Sequence, residues 1–355
     1  MQLKYRDSDS VFSEACYERD QNRFKITSSV DNSEMSYYPI LKLDNSYDVK
    51  HFSYKLFYNE GSCENSIYQV YVGDDRIGWI FPVQALLSPD HDYAENEYFL
   101  KYAYIATYLL LRDINQIDKI DSPQEFVLDD YTDEMKCILV LDHENIEKIE
   151  DFDISDYTVG LFKYGYEYNG KGNFNPSAIK GKKRLTIFPL AKELRGNPSI
   201  NELFVDQFLL ASNAVIRFHI CYQIIELLIS KVFEHKFRSI VEKLSDNPEE
   251  LFDLREDLSR ITAEKERVKC LFEDYTKCET RDKVEIGAAC KHFLDLNGKK
   301  TTDNFYYDLY SVRCMLVHKL YAINKQSREC LDDINVLLLN IVIDMLFSFH
   351  LPQNN

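Results

Sequence analysis

The chain has no excess of positive charge: 59 acidic residues stand against 42 basic ones, giving a formal net charge of −17 and an isoelectric point near 5.0. That balance excludes a global positive field able to draw the whole surface onto nucleic acid or an anionic membrane, so any such contact must be local. The opening residues Met1-Gln2-Leu3-Lys4-Tyr5-Arg6-Asp7 lack the charged-then-apolar run of a signal peptide. No run of about 20 apolar residues is present to span a bilayer. The nearest, Ile334 to Phe349, is interrupted by Asn340 and Asp344 and preceded by Asp332 and Asp333, and reads as a core or dimer helix. The nine cysteines are odd in number, scattered, and often set in helical sequence. This argues against a disulfide framework and for reduced thiols in the cytoplasm. C-x2-C knuckles are missing, so Cys270, Cys278, Cys290 and His292 do not read as a zinc site, and neither a metal nor another cofactor is expected. Internal repeats of about 20 to 50 residues and local signatures of Ser/His/Asp or Cys/His nucleophiles are absent as well.

What is present is a chain of 355 residues, 45% hydrophobic, long enough for two main domains at about 150 residues each. The first part mixes signals. Ser66 to Val72 and Ile77 to Phe81 alternate like strands around the turn Gly73-Asp74-Asp75-Arg76. Tyr98 to Leu111 has helical periodicity, while Cys137 to Leu141 and Arg184 to Pro189 read as strands. The expectation is an α+β domain over residues 1–198. At Gly196-Asn197-Pro198-Ser199 the strand and turn signals stop. From 199 to 355 the pattern predicts an all-α bundle of five helices, roughly 201–244, 248–277, 281–296, 302–323 and 327–349, broken at Asn247-Pro248, Asn297-Gly298 and Asn324-Lys325-Gln326.

Two features of the first domain are weaker as sites. The acidic tract Asp129 to Glu134 reads as a solvated loop. Gly165 to Gly172 fits the G-x4-G-K pattern of a phosphate loop, but Gly172 stands where Ser or Thr would hold magnesium, and Asn173-Phe174-Asn175-Pro176 starts no helix. The basic residues nearby, Lys171, Lys180, Lys182, Lys183 and Arg184, form a local patch that reads as a solvated turn or as a contact for a phosphate backbone.

The informative segment is Arg313-Cys314-Met315-Leu316-Val317-His318. Tyr306, Leu309, Tyr310, Leu316, Val317 and Leu320 share one helical face, and Arg313 sits in the middle of it. A guanidinium there costs several kcal/mol unless it is paired or lines a cleft. Glu226 occupies the apolar face formed by Phe208, Val215, His219, Tyr222, Ile229 and Phe233, and it is the expected partner of Arg313.

Arg313-x4-His318, followed by Lys319 and preceded by the long helical stretch from Arg217 to Glu226, resembles the signature of the HEPN superfamily. The resemblance covers about the last 150 residues, and Cys314 stands where the family usually carries Asn or another polar residue. It implies a metal-independent ribonuclease acting on RNA as a homodimer, with Arg313 stabilising charge on the phosphorane and His318 as general acid or base. Glu226 and Cys314 would support these groups, and Lys319, Lys299 and Lys300 would contact RNA. Such enzymes serve in prokaryotic defence or as toxins, which implies a trigger or an antitoxin, with the N-terminal half as a sensor or substrate-selecting module. The competing reading is a HEPN-like module that has lost catalysis and serves in binding or dimerisation, with Glu226 and Arg313 an inert pair and His318 a surface residue.

Overall fold

A computed structural model describes residues 15–27, 34–114, 136–167, 183–208, 211, 213–246, 251–323 and 325–352. They fall into two compact units, the first holding the described residues up to 152 together with 183–187, the second holding 153–167 and everything from 188 on.

The first unit contains two sheets. Strands β1 (Ala15–Glu18), β2 (Arg23–Thr27) and β3 (Glu34–Tyr37) form a small antiparallel sheet. The larger sheet has β4 (Phe52–Tyr58), β5 (Tyr68–Val72), β6 (Asp75–Pro82), β7 (Lys136–Asp142) and β8 (Arg184–Thr186) in the order β4-β7-β6-β5-β8. All pairs are antiparallel except β5 with β8. Strands β5 and β6 meet through the tight turn Gly73-Asp74, where Val72 pairs with Asp75 and Gly73 takes φ +60°. A left-handed φ is the conformation such a two-residue hairpin demands. Cys137 to Leu141 in β7 are all buried, as expected of a strand paired on both edges.

Helix α1 (Glu97–Ile114) starts where the Asn96 side chain accepts a hydrogen bond from the Phe99 amide at 3.0 Å. Its buried residues Phe99, Tyr102, Ala103 and Ala106 join Trp79, Phe81, Ile138 and Val140 in one core. Trp79 is 1% exposed, with the Tyr93 and Tyr102 rings each 5.7 Å away. Arg184 is held inside this unit, donating to the Gly73 carbonyl at 2.7 Å and lying over the Tyr71 ring at 4.0 Å. Lys183 donates to the Asn65 carbonyl at 2.7 Å. These two members of the basic patch thus already have local partners. Lys171, Lys180, Lys182, the acidic tract 129–134 and most of the G-x4-G-K segment lie outside the described residues.

The second unit is helical: α2 (Ala214–Asp246), α3 (Leu251–Thr262), α4 (Glu264–Cys270), α5 (Thr280–Leu296), α6 (Phe305–His318) and α7 (Lys325–Ser348). Composition places the domain boundary at 198, yet residues 153–167 and 188–198 pack with the helices. The reason is hydrogen bonding between residues far apart in the chain, which composition does not display. The buried Asp156 carboxylate accepts from the Gly196 amide at 2.8 Å, and the Ala191 amide reaches the Leu346 carbonyl at 2.8 Å. The helix expected from 201 begins only at Ala214, after a short helix at Pro198–Asn201 and a π-helical stretch at Glu202–Gln207. The helix expected over 248–277 is split at Ala263, whose backbone is extended, and finishes in a π-helical turn, Leu271–Tyr275. Asn297-Gly298 does end α5: Gly298 takes φ +62° and the Lys299 amide bonds back to the Leu294 carbonyl at 2.9 Å. No helix among the described residues is long and apolar enough to cross a membrane.

Gly78 has no room for a side chain, because a Cβ there would lie 1.9 Å from the Val140 carbonyl oxygen. Gly78→Ala must therefore push β6 away from β7. The expected result is a loss of about 1–3 kcal/mol, seen as a lower thermal midpoint; an unchanged midpoint would contradict the packing described.

Candidate functional site

Arg313 projects from α6 toward α2 and α4. Its Nη2 donates to Glu226 Oε1 at 2.8 Å and lies 3.9 Å from Glu264 Oε1, while the guanidinium sits 5.6 Å from the centre of the Tyr222 ring. The Arg313 side chain is 19% exposed and that of Glu226 42%. The pairing expected from two misplaced charges is present, but on the rim of the core rather than within it. Burial works against the Arg313 charge, yet the hydrogen bond it donates to Glu226 and the negative charges of Glu264 and Glu226 hold the guanidinium above its ordinary range.

Around this pair stand polar groups that the sequence reading left unassigned. Glu264 opens α4 at its first position, where a carboxylate suits the positive end of the helix dipole. Its Oε1 is buried and accepts no hydrogen bond among the described residues. The Tyr222 hydroxyl is likewise buried without a partner there. Burial first, then the Glu264 carboxylate, push that phenol well above its usual range. Tyr310, one turn before Cys314, is raised to about 12 by burial and by its hydrogen bond to the Cys314 thiol. His219, two turns before Glu226 on α2, is half-buried, and burial together with the Arg313 charge keep its imidazole below 6.5, against a smaller upward pull from Glu226. The sequence signals were there: His219 and Tyr222 share the Glu226 face. Glu264 could not be placed while 248–277 reads as one uninterrupted helix.

His318 is elsewhere. It is the last residue of α6 and is exposed; five positions from Arg313, it points about 140° away around the helix. Lys319 follows it and is exposed too. Val317 (44% exposed) and Leu320 (39%) do not extend the buried face, because α6 ends at His318 and the chain enters a 3-10 turn. Lys299 and Lys300 are exposed in the loop leading into the opposite end of α6, a helix of 14 residues, or about 20 Å. The structure therefore brings Arg313 and Glu226 together, gives Cys314 a hydrogen bond with Tyr310 instead, and leaves His318 with Lys319, and Lys299 with Lys300, at the two ends of the helix. Phe208, assigned by periodicity to the Glu226 face, lies before the start of α2. Among the described residues no group of three or more His, Cys, Asp and Glu side chains is placed to hold a metal.

Chemically, a guanidinium held on one side by a hydrogen bond to one carboxylate and by the charge of another is restricted in direction, and its remaining N–H donors can serve an incoming anion. Comparison of the chain with family models, with curated proteins and with solved structures gives no match.

Arg313→Met would leave Glu226 and Glu264 facing each other with no cation. The expected loss is about 1–3 kcal/mol, below the ~3–5 typical of a fully buried pair because Glu226 is partly solvated. Adding Glu226→Gln and Glu264→Gln should recover most of it, as read from urea midpoints of the three proteins. A second expectation concerns pH. The folded state disfavours protonation of His219, so the unfolded chain binds that proton more readily, and stability is lost as pH falls from 6.5 toward the lower folded value. His219→Gln should flatten this part of the stability profile relative to wild type; identical slopes would remove His219 from the electrostatic cluster.

Proposed function

We propose that the helical unit is a metal-independent endoribonuclease of HEPN type that acts on RNA in the cytoplasm as a homodimer. In this reading Arg313 stabilises charge on the pentacovalent phosphorus and His318 acts as general acid or base. The observation that carries it is the setting of Arg313. A cation is anchored by Glu226 at 2.8 Å on a helix whose next turn presents an exposed imidazole and ammonium, His318 and Lys319. Anchoring matters because a donor whose direction is fixed before the reaction needs no reorganisation as charge develops. An imidazole has one nitrogen that can accept the 2′-hydroxyl proton and, once protonated, can deliver a proton to the leaving oxygen.

The dimer belongs to the reading for a geometric reason. Arg313 and His318 diverge by about 140° around α6, so one phosphate reaches both most readily when a second copy faces the first. Cys314, hydrogen-bonded to Tyr310, then supports α6 beside Arg313. The first unit serves as a sensor or substrate selector, and a trigger or an antitoxin governs activity in a defence or toxin setting.

One observation favours a different reading, a non-catalytic dimerisation or binding module: the Arg313 guanidinium is claimed by two carboxylates, which lowers its attraction for a phosphate. The two readings separate in one experiment, incubation of total RNA and tRNA with the protein in EDTA. The ribonuclease reading expects cleavage by wild type and a loss of at least about 100-fold in Arg313→Ala/His318→Ala. Absence of cleavage in a wild-type protein that sediments as a dimer would support the binding module instead.

A further inference from the structure

A cavity of about 360 Å³ lies within the helical unit, where the segment 188–195 meets the end of α7. That is at the small end of the roughly 300–1,000 Å³ of ligand sites. Its lining is chemically one-sided. Lys192 and Arg195 are the only polar side chains in it, and the rest, among them Phe188, Leu190, Phe347 and Phe349, is apolar. The chain carries a net charge of −17, yet no carboxylate lines this cavity.

Both cations are exposed, and neither has an ion-pair partner among the described residues. Arg195 is anchored through Nε, which donates to the Leu190 carbonyl at 3.2 Å. Its two Nη groups are left without a hydrogen bond among the described residues. The backbone around them is tied down at two points, since the Leu190 amide donates to the Asp156 carbonyl and the Ala191 amide to the Leu346 carbonyl, each at 2.8 Å. A ligand therefore meets a site whose lining is already ordered, which lowers the cost of binding. The apolar part is aromatic. Phe347 has the Phe188 ring 6.5 Å from its own and Lys163 Nζ 5.9 Å from its centre. Phe188 is 55% exposed, so a ligand that covers it removes apolar surface from water.

We infer that this cavity binds a small monocarboxylate with an apolar body, its carboxylate on Lys192 and Arg195 and its body against Phe188, Phe347 and Phe349. What the lining can satisfy decides the class. Both polar side chains are donors only. The ammonium of an amino acid or the hydroxyls of a sugar would enter without a side-chain acceptor and lose hydration uncompensated. An anionic head without donors of its own meets no such penalty, and the planar fork of a guanidinium matches a carboxylate. An anion with no apolar body would leave the aromatic lining uncovered. The site does not depend on the ribonuclease reading, because none of its residues belongs to the Arg313 cluster or the end of α6.

Isothermal titration calorimetry of the whole chain with phenylpropionate and with octanoate tests this, with their amides, phenylalanine and acetate as controls. At least one of the two carboxylates should bind, and its amide, phenylalanine and acetate should each be weaker by about tenfold or more, the loss expected on removing charge-assisted contacts or apolar burial. Lys192→Gln/Arg195→Gln changes exposed side chains and should weaken the carboxylate by a similar factor. Phe188→Ala leaves both cations in place and should weaken it several-fold. The far-UV spectra of both variants should match wild type. No heat with either carboxylate at millimolar concentration would overturn the assignment. So would equal affinity for a carboxylate and its amide, or unchanged binding in either variant.

Discussion

The helical unit is organised around one electrostatic obligation. Arg313 enters a face made of Tyr306, Leu309 and Leu316, where a lone cation would be unstable. Glu226 on α2 and Glu264 on α4 meet it from two other helices, so three helices are registered by one guanidinium. The pair fixes which residues of α2 face α6, and through that it fixes where His219 and Tyr222 stand. The net attraction of such a pair is modest, since desolvation offsets much of it; its influence on geometry is larger, because alternative packings would strand a charge.

Several parts of the fold could be read directly because local chemistry decides them. Gly73 and Gly298 take left-handed backbone, one where the chain reverses and the other where a helix stops. Cys137 to Leu141, apolar without alternation, became a strand with neighbours on both edges. What could not be read is what depends on distant partners. The break at Ala263 has no proline or glycine to announce it. The π-helical stretches carry no local signature, and the attachment of residues 153–167 to the helices rests on Val159 and Phe162 in the helical core and on Lys163, 3.7 Å from Asp344 far along the chain. Periodicity records a residue's neighbours one turn away and is silent about such links.

The candidate site shows the same division. Two charges on apolar faces, Glu226 and Arg313, announced each other because each was costly alone. Glu264 gave no such sign, since an acidic residue at a helix start is ordinary. The lysines are the reverse case: Lys299, Lys300 and Lys319 look clustered in sequence, but α6 intervenes as a rod and holds the first two apart from the third. Val317 and Leu320 fit the apolar period yet are exposed, because the helix that would have carried the period ends between them.

The single tryptophan has a consequence for how the molecule reports on itself. Trp79 is packed among Phe99, Tyr93 and Tyr102 in the first unit, while the long helices belong to the second. Indole fluorescence therefore follows the sheet-bearing unit, and far-UV ellipticity is dominated by the other. Two ordinary optical signals thus act as separate channels, one for each unit. Their midpoints coincide only when the whole chain melts as one cooperative body, and any gap between them measures the independence of its halves.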